Sequence, residues 1–216
     1  MTNQHQLSAT AQQQKPTTQL QSAIILAGGR SSRMGQDKAL LKLDGDSQLC
    51  RTVALAKAAG CDQILISRNQ PGFINDLYPD AGPLAGIQAA LLQVHASQCL
   101  ILPVDTPLLN AALLTLLLQY PCACFAGSPL PAVIPTNQQV KHWLAKTLQH
   151  NTSAAKNNNT TSGLSVTALL QQFGVQQLPC PTPAALLNTN TPGEWQLALQ
   201  QHQHLNPEAS RYGQNT

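Results

Sequence analysis

Residues Ala23–Leu43 read AIILAGGRSSRMGQDKALLKL, and this stretch limits what the chain can become more than any other. Ala23 to Leu26 are apolar and suit a buried strand. A loop follows that carries Gly28, Gly29 and Gly35 beside Arg30, Arg33 and Lys38. Glycine lets a backbone turn with positive φ and lets a ligand come close. Cations beside such glycines complement an anion, most simply a phosphate chain. A surface turn with solvated charges is the plainer alternative, but ordinary turns rarely gather so many specialised residues.

The rest of the chain alternates. Leu49, Val53, Leu55, Ala56 and Ala59 repeat with helical spacing over 48–59, and Gly60 is a stop signal. Gln63–Ser67 reads as a second buried strand, and a helix between two strands implies a βαβ unit and a parallel sheet. Further helices are predicted over 86–96, 110–119, 143–149 and 164–173, with a last one entered through Pro192. Strands are expected at 99–102, 122–126, 132–134 and 175–178, and a short one near Phe73–Ile74. The pattern predicts an α/β fold: a Rossmann-like, three-layer, open and mostly parallel sheet with helices on both faces. Such sheets bind ligands at the carboxyl ends of their strands. The expected organisation is a disordered polar leader over 1–21, a single domain over 22–205 and a frayed tail over 206–216. Within the domain, the Asn/Thr-rich 151–162 reads as a mobile loop.

Charge is scarce and therefore informative. Asp, Glu, Lys and Arg make up 10% of the chain, well below the usual share of about a quarter. The net charge of +3 does not argue for nucleic acid, and several cations sit in the glycine loop, which favours a small anionic ligand. No apolar run is long enough to span a membrane, and the Gln/Thr-rich start lacks the apolar core of a secretory signal. A cytoplasmic protein is expected. The six cysteines are scattered and read as reduced and buried, the Cys122–Cys124 pair included.

A second site follows the strand at 99–102, in PVDTP. Asp105 is the sole Asp, Glu, Lys or Arg between Asp80 and Lys141. A carboxylate at the end of an apolar strand is costly unless paired or bound to metal. The alternative is a helix cap, with Asp105 or Thr106 ahead of Pro107. Phosphates, a hard cation and a carboxylate form a common trio, and Mg²⁺ typically takes one or two carboxylates plus phosphate oxygens. The glycine loop is neither a Walker A sequence nor a GxGxxG fingerprint, since Gly35 is followed by Gln36, Asp37 and Lys38. The dispersed histidines form no hydrolase motif, and His202 and His204 are expected to be solvated on a Gln-rich terminal helix.

LAGGRSSRMGQDKALL resembles the signature of the nucleotidyltransferases that make the molybdenum cofactor. AGPLAGI (81–87), LPVDTPLL (102–109), LPAVIPTN (130–137) and NTNTPGEW (188–195) are similar to that family's later motifs, in the same order. The combination is identified with the molybdenum cofactor guanylyltransferases, over roughly residues 22–200. The resemblance implies transfer of GMP from GTP to molybdopterin with release of pyrophosphate. It implies backbone contacts to the nucleotide from Leu26, Ala27 and Gly28, and phosphate binding by Arg33 and Lys38. It implies Mg²⁺ on Asp105, and guanosine contacts from Asn69 and Asp76, with Ser67 competing for the place of Asn69. Asn188 and Asn190 would lie near the metal and the acceptor. It also implies transient contact with enzymes that make or receive the cofactor. The chain departs from the family's usual pattern at Val104, at Gly193 and at Ser162–Gly163, where relatives often carry cysteine, an acidic residue and arginine. Two alternatives remain: the same chemistry with CTP or a sugar phosphate, and a non-catalytic carrier of nucleotide or pterin.

Overall fold

The computed structural model describes residues 20–28, 37–156 and 165–205. The leader to residue 19, Gly29 to Gln36 with Arg33 among them, residues 157–164 and the tail from 206 lie outside the described residues. Strand β1 (Ser22–Leu26) precedes a short 3-10 turn (Lys38–Leu40). A small hairpin of β2 (Lys42–Leu43) and β3 (Asp46–Ser47) leads to helix α1 (Gln48–Ala58). Then come β4 (Gln63–Ser67), α2 (Pro83–Leu91), β5 (Gln98–Pro103), α3 (Ala111–Leu117), β6 (Ala123–Phe125) and β7 (Ser128–Pro135). Helices α4 (Gln138–Lys156) and α5 (Val166–Gln172), strand β8 (Gln176–Leu178) and helix α6 (Pro192–Leu205) complete the chain.

Six strands form one sheet in the order β4-β1-β5-β7-β6-β8. Strand β7 alone runs against its neighbours, because it returns from β6 through Gly127 at φ 82°. Side chains alternate across the sheet with period two. Ile24, Ile101 and Ile134 enter the core under α2, α4 and α5. Ala23, Ile25, Leu100, Leu102 and Val133 enter the core on the other face, with α1 and α3. The helices therefore cover both faces, as the alternation of elements predicts.

The order of the first three strands positions everything that follows. From β1 the chain crosses one face through α1 to reach β4. It then crosses the other face through α2 to reach β5, on the opposite side of β1. The direction of winding thus reverses at β1, and a crevice opens at its carboxyl end. Leu26 lies level with Ser67 of β4 and Pro103 of β5, so three loops leave the sheet at one height.

Some boundaries differ from the sequence reading. Helix α2 spans Pro83–Leu91 rather than 86–96. Gly82 holds φ 73° and ψ −163°, a conformation essentially restricted to glycine, and Pro83 enters with φ already set. The helix ends early because Gln93 and Val94 turn back onto the carbonyls of Ala90 and Leu91. Helix α4 is longer than 143–149: it starts from the cap in which Asn137 Oδ1 accepts from the Val140 amide at 3.1 Å. It also runs through Asn151–Lys156, the first part of the segment read as a loop. The strand expected near Phe73–Ile74 is a single bridge between Ser67 and Ile74.

Candidate active site

Two adjoining cavities occupy the crevice and share Leu26, Ala27, Gly28, Asp37 and Pro83 as their common wall. The larger holds about 590 Å³ and is closed by the segment from Ser67 through Gly82. The smaller holds about 270 Å³ and lies over Lys38, Asp105, Asn188 and the start of β7. Among the described residues, a Cβ added at Gly28 would meet Arg68 Cα and Ser67 O, both at 3.8 Å. The fold itself thus has room for a side chain there, and its absence leaves that space to the cavities.

The larger cavity is organised by short-range bonds. Asn69 Nδ2 donates to Asp76 Oδ2 at 2.8 Å, and the Asp76 amide donates to Asn69 Oδ1 at 2.7 Å. The loop between them is folded back by this pair and by the Ser67–Ile74 bridge. Ser67, Asn69 and Asp76 all line the cavity. Helix α2 approaches Ser67 so closely that a Cβ on Gly86 would lie 2.2 Å from Ser67 Oγ and 3.4 Å from Asp76 Oδ1. A side chain at Gly86, in the GPLAGI segment, would force Ser67 to move.

The smaller cavity gathers residues distant in the chain. Lys38 Nζ donates to Asp105 Oδ2 at 3.1 Å and to Asn190 Oδ1 at 2.5 Å. The Thr189 amide and hydroxyl both donate to the Asp105 carbonyl, at 2.8 and 3.1 Å, which fastens the last loop to the loop after β5. Asp105 does not cap α3; Asn110 does, its Oδ1 accepting from the Leu113 amide at 3.1 Å. The carboxylate of Asp105 therefore faces the cavity, paired with Lys38, instead of closing a helix end. Oxygen donors from Asp105, Asn188 and Asn190 are hard ligands, with one carboxylate among them, and they suit a divalent ion that also takes phosphate oxygens. Among the described residues no three His, Cys, Asp or Glu side chains cluster for a metal.

Several residues escaped sequence reasoning. Asp37 and Arg68 form an ion pair, with Arg68 buried. Glu194 Oε2 accepts from the amides of Asn190 and Thr191, at 2.7 and 2.8 Å, and from the Thr191 hydroxyl. These bonds, that from Asn190 foremost, hold the Glu194 carboxyl below its usual range. The signal was present, since Thr191 and Glu194 have capping-box spacing. His202 is buried rather than solvated, its Nε2 2.6 Å from Asp44 Oδ2 in the β2–β3 turn. The described cysteines are all free. Burial pushes the Cys61 thiol up to about 11 and raises Cys99 further, whereas Cys50 is exposed, against the expectation for all six.

Comparison with known proteins agrees with this geometry. The model of the MobA-like NTP transferase domain matches residues 23–157. A molybdenum cofactor guanylyltransferase from Xanthomonas euvesicatoria is 34% identical over 203 residues, covering 90% of this chain and 98% of the relative. A probable molybdenum cofactor guanylyltransferase from Synechococcus elongatus is also 34% identical, over 82% of this chain and 97% of its own length. The solved structure of molybdopterin-guanine dinucleotide biosynthesis protein A from Archaeoglobus fulgidus superposes with a TM-score of 0.63. It is 18% identical and covers 85% of this chain and 99% of that one, a likeness of fold.

Proposed function

Because the chain belongs to the MobA-like NTP transferase family and is a nucleotidyltransferase, we propose that it transfers GMP from GTP to molybdopterin, releasing pyrophosphate. The product is the molybdopterin guanine dinucleotide. The observation that carries this reading is the near full-length likeness to guanylyltransferases of the molybdenum cofactor.

The residues divide the work. The base and ribose of GTP enter the larger cavity, where Asp76 accepts hydrogen bonds from a guanine edge and Asn69 holds Asp76 in place. The backbone of Leu26 to Gly28 carries the nucleotide across the shared wall. Lys38, with Arg33 of the glycine loop, neutralises the phosphates and the departing pyrophosphate. Asp105 and the Asn188–Asn190 loop would hold a divalent ion, Mg²⁺ in this reading, which would supply charge neutralisation to the phosphates. The acceptor phosphate is already ionised and attacks the α-phosphorus in line, so no side chain need remove a proton. Positioning and charge stabilisation supply the rate. A cytoplasmic reaction, drawing on the GTP there, is part of this reading.

Pyrophosphate release with GTP, Mg²⁺ and molybdopterin tests the proposal. Release is expected only with all three, and far more slowly with CTP. Equal or faster turnover of CTP reassigns the base, and GTP binding without any pyrophosphate makes the protein a carrier.

A further inference from the structure

Arg68 and Asp37 meet at the wall shared by the two cavities, and the reaction as outlined leaves them unused. Arg68 is 5% exposed. Its terminal nitrogens donate to the Asp37 carboxylate, its Nε donates to Gln70 Oε1 at 2.8 Å, and its guanidinium lies over Phe73, 5.8 Å from the ring centre. Asp37 also accepts from the Ala39 amide at 3.1 Å, as the cap of the 3-10 turn whose first residue is Lys38. The same carboxylate thus sets the direction of the turn and sits next in sequence to the cation of the smaller cavity.

Without Arg68, the Asp37 carboxylate would compete with Asp105 and Asn190 for the Lys38 ammonium. It would also place an uncompensated negative charge beside a path for polyphosphate. We propose that Arg68 is a positioning residue for the transfer. By holding and neutralising Asp37 it fixes the turn that aims Lys38 at Asp105 and Asn190, and it keeps the phosphate path free of a repelling charge. Arg68 acts through Asp37 and touches no reacting atom. Its planar fork, which grips a carboxylate with two parallel bonds, cannot be replaced by the point charge of lysine. The inference rests on the nucleotidyl-transfer reading for its kinetic consequence, but not for the geometry of Lys38.

The test compares Arg68→Gln, Asp37→Asn and the double variant, by kcat and KM for GTP, by thermal unfolding, and by the ammonium signal of Lys38 in ¹⁵N-lysine-labelled, nucleotide-free protein, assigned with Lys38→Arg. Arg68→Gln is expected to lower kcat by between about ten- and a hundredfold, to raise KM and to shift the Lys38 signal. Asn at position 37 still caps the turn but no longer competes for Lys38. The double variant should therefore recover kcat to within about threefold of wild type and restore the signal, even with a melting temperature below wild type. A double variant as slow as Arg68→Gln, or an unmoved Lys38 signal in Arg68→Gln, overturns the proposal and leaves the pair a purely structural bond. If the wild-type protein does not turn over GTP, the functional reading fails, and the Lys38 signal still decides the positioning.

Discussion

The two cavities differ in how the chain builds them. In the larger, the polar pair that shapes the wall, Asn69 with Asp76, joins residues seven positions apart. In the smaller, Lys38 reaches Asp105 across 67 positions and Asn190 across 152. A local loop can shape itself, and once folded its polar groups satisfy one another. The charged centre exists only where three distant segments converge, so its geometry depends on the whole sheet. The polar wall of the larger cavity is thus built by a contiguous segment, and the charged centre of the smaller by the topology.

If this division is real, substitutions on the two sides should fail differently. Asp105→Asn should lower turnover by about a thousandfold while the fold survives, because one partly exposed ion pair contributes at most about 1 kcal/mol to stability. Steady-state kinetics beside a urea melt checks both halves, and near-normal activity with Mg²⁺ removes Asp105 from the metal site. Lys38→Ala should reduce kcat/KM by about a hundredfold, chiefly through kcat. An unchanged kcat/KM sinks its phosphate role. Asp76→Asn, on the other side, should raise KM for GTP by about ten- to a hundredfold with kcat little altered. A fall in kcat alone would erase the contrast between the cavities.

Two smaller effects sharpen it. Gly86→Ala should destabilise the protein by about 1–3 kcal/mol, since the added Cβ collides with Ser67 Oγ. Gly28→Ala should leave the melting temperature near wild type yet weaken GTP binding, because its Cβ fits the fold but enters the ligand's space. The mildest change concerns Glu194, whose carboxyl is held low in the fold. A depressed carboxyl stabilises the folded state above its unfolded pKa, and that contribution disappears as pH falls through the folded value. Urea melts of wild type and Glu194→Gln should therefore differ at neutral pH and converge on acidification below the carboxylate range.

Much of this arrangement was legible in the chain itself. Apolar runs bounded by glycine and proline located the buried strands, and the isolation of Asp105 in an apolar stretch singled out a carboxylate that the fold pairs with Lys38 at the smaller cavity. The Asp37–Arg68 pair was hidden because both residues look like ordinary surface charges in the sequence. They meet across 31 positions, a pairing that the local sequence around neither residue announces. His202 was hidden for the same reason: its partner, Asp44, is 158 positions away. Periodicity reports which face of an element is buried, but not which distant charge waits there.

Helix α6 has a consequence for the order in which the protein matures on the ribosome. Its leading loop supplies Asn190 to Lys38, and His202 near its far end grips the hairpin that follows the Lys38 turn. Every residue described in the larger cavity precedes α2 or lies in its first turn, so those residues have left the ribosome long before α6 is made. A nascent or truncated chain lacking α6 therefore still holds Lys38, Asp105, Asn188 and Asn190, but not Glu194, which fastens the Asn190 loop, nor His202, which grips the hairpin. Among the described residues, the helix synthesised last is the one that fastens this centre in place.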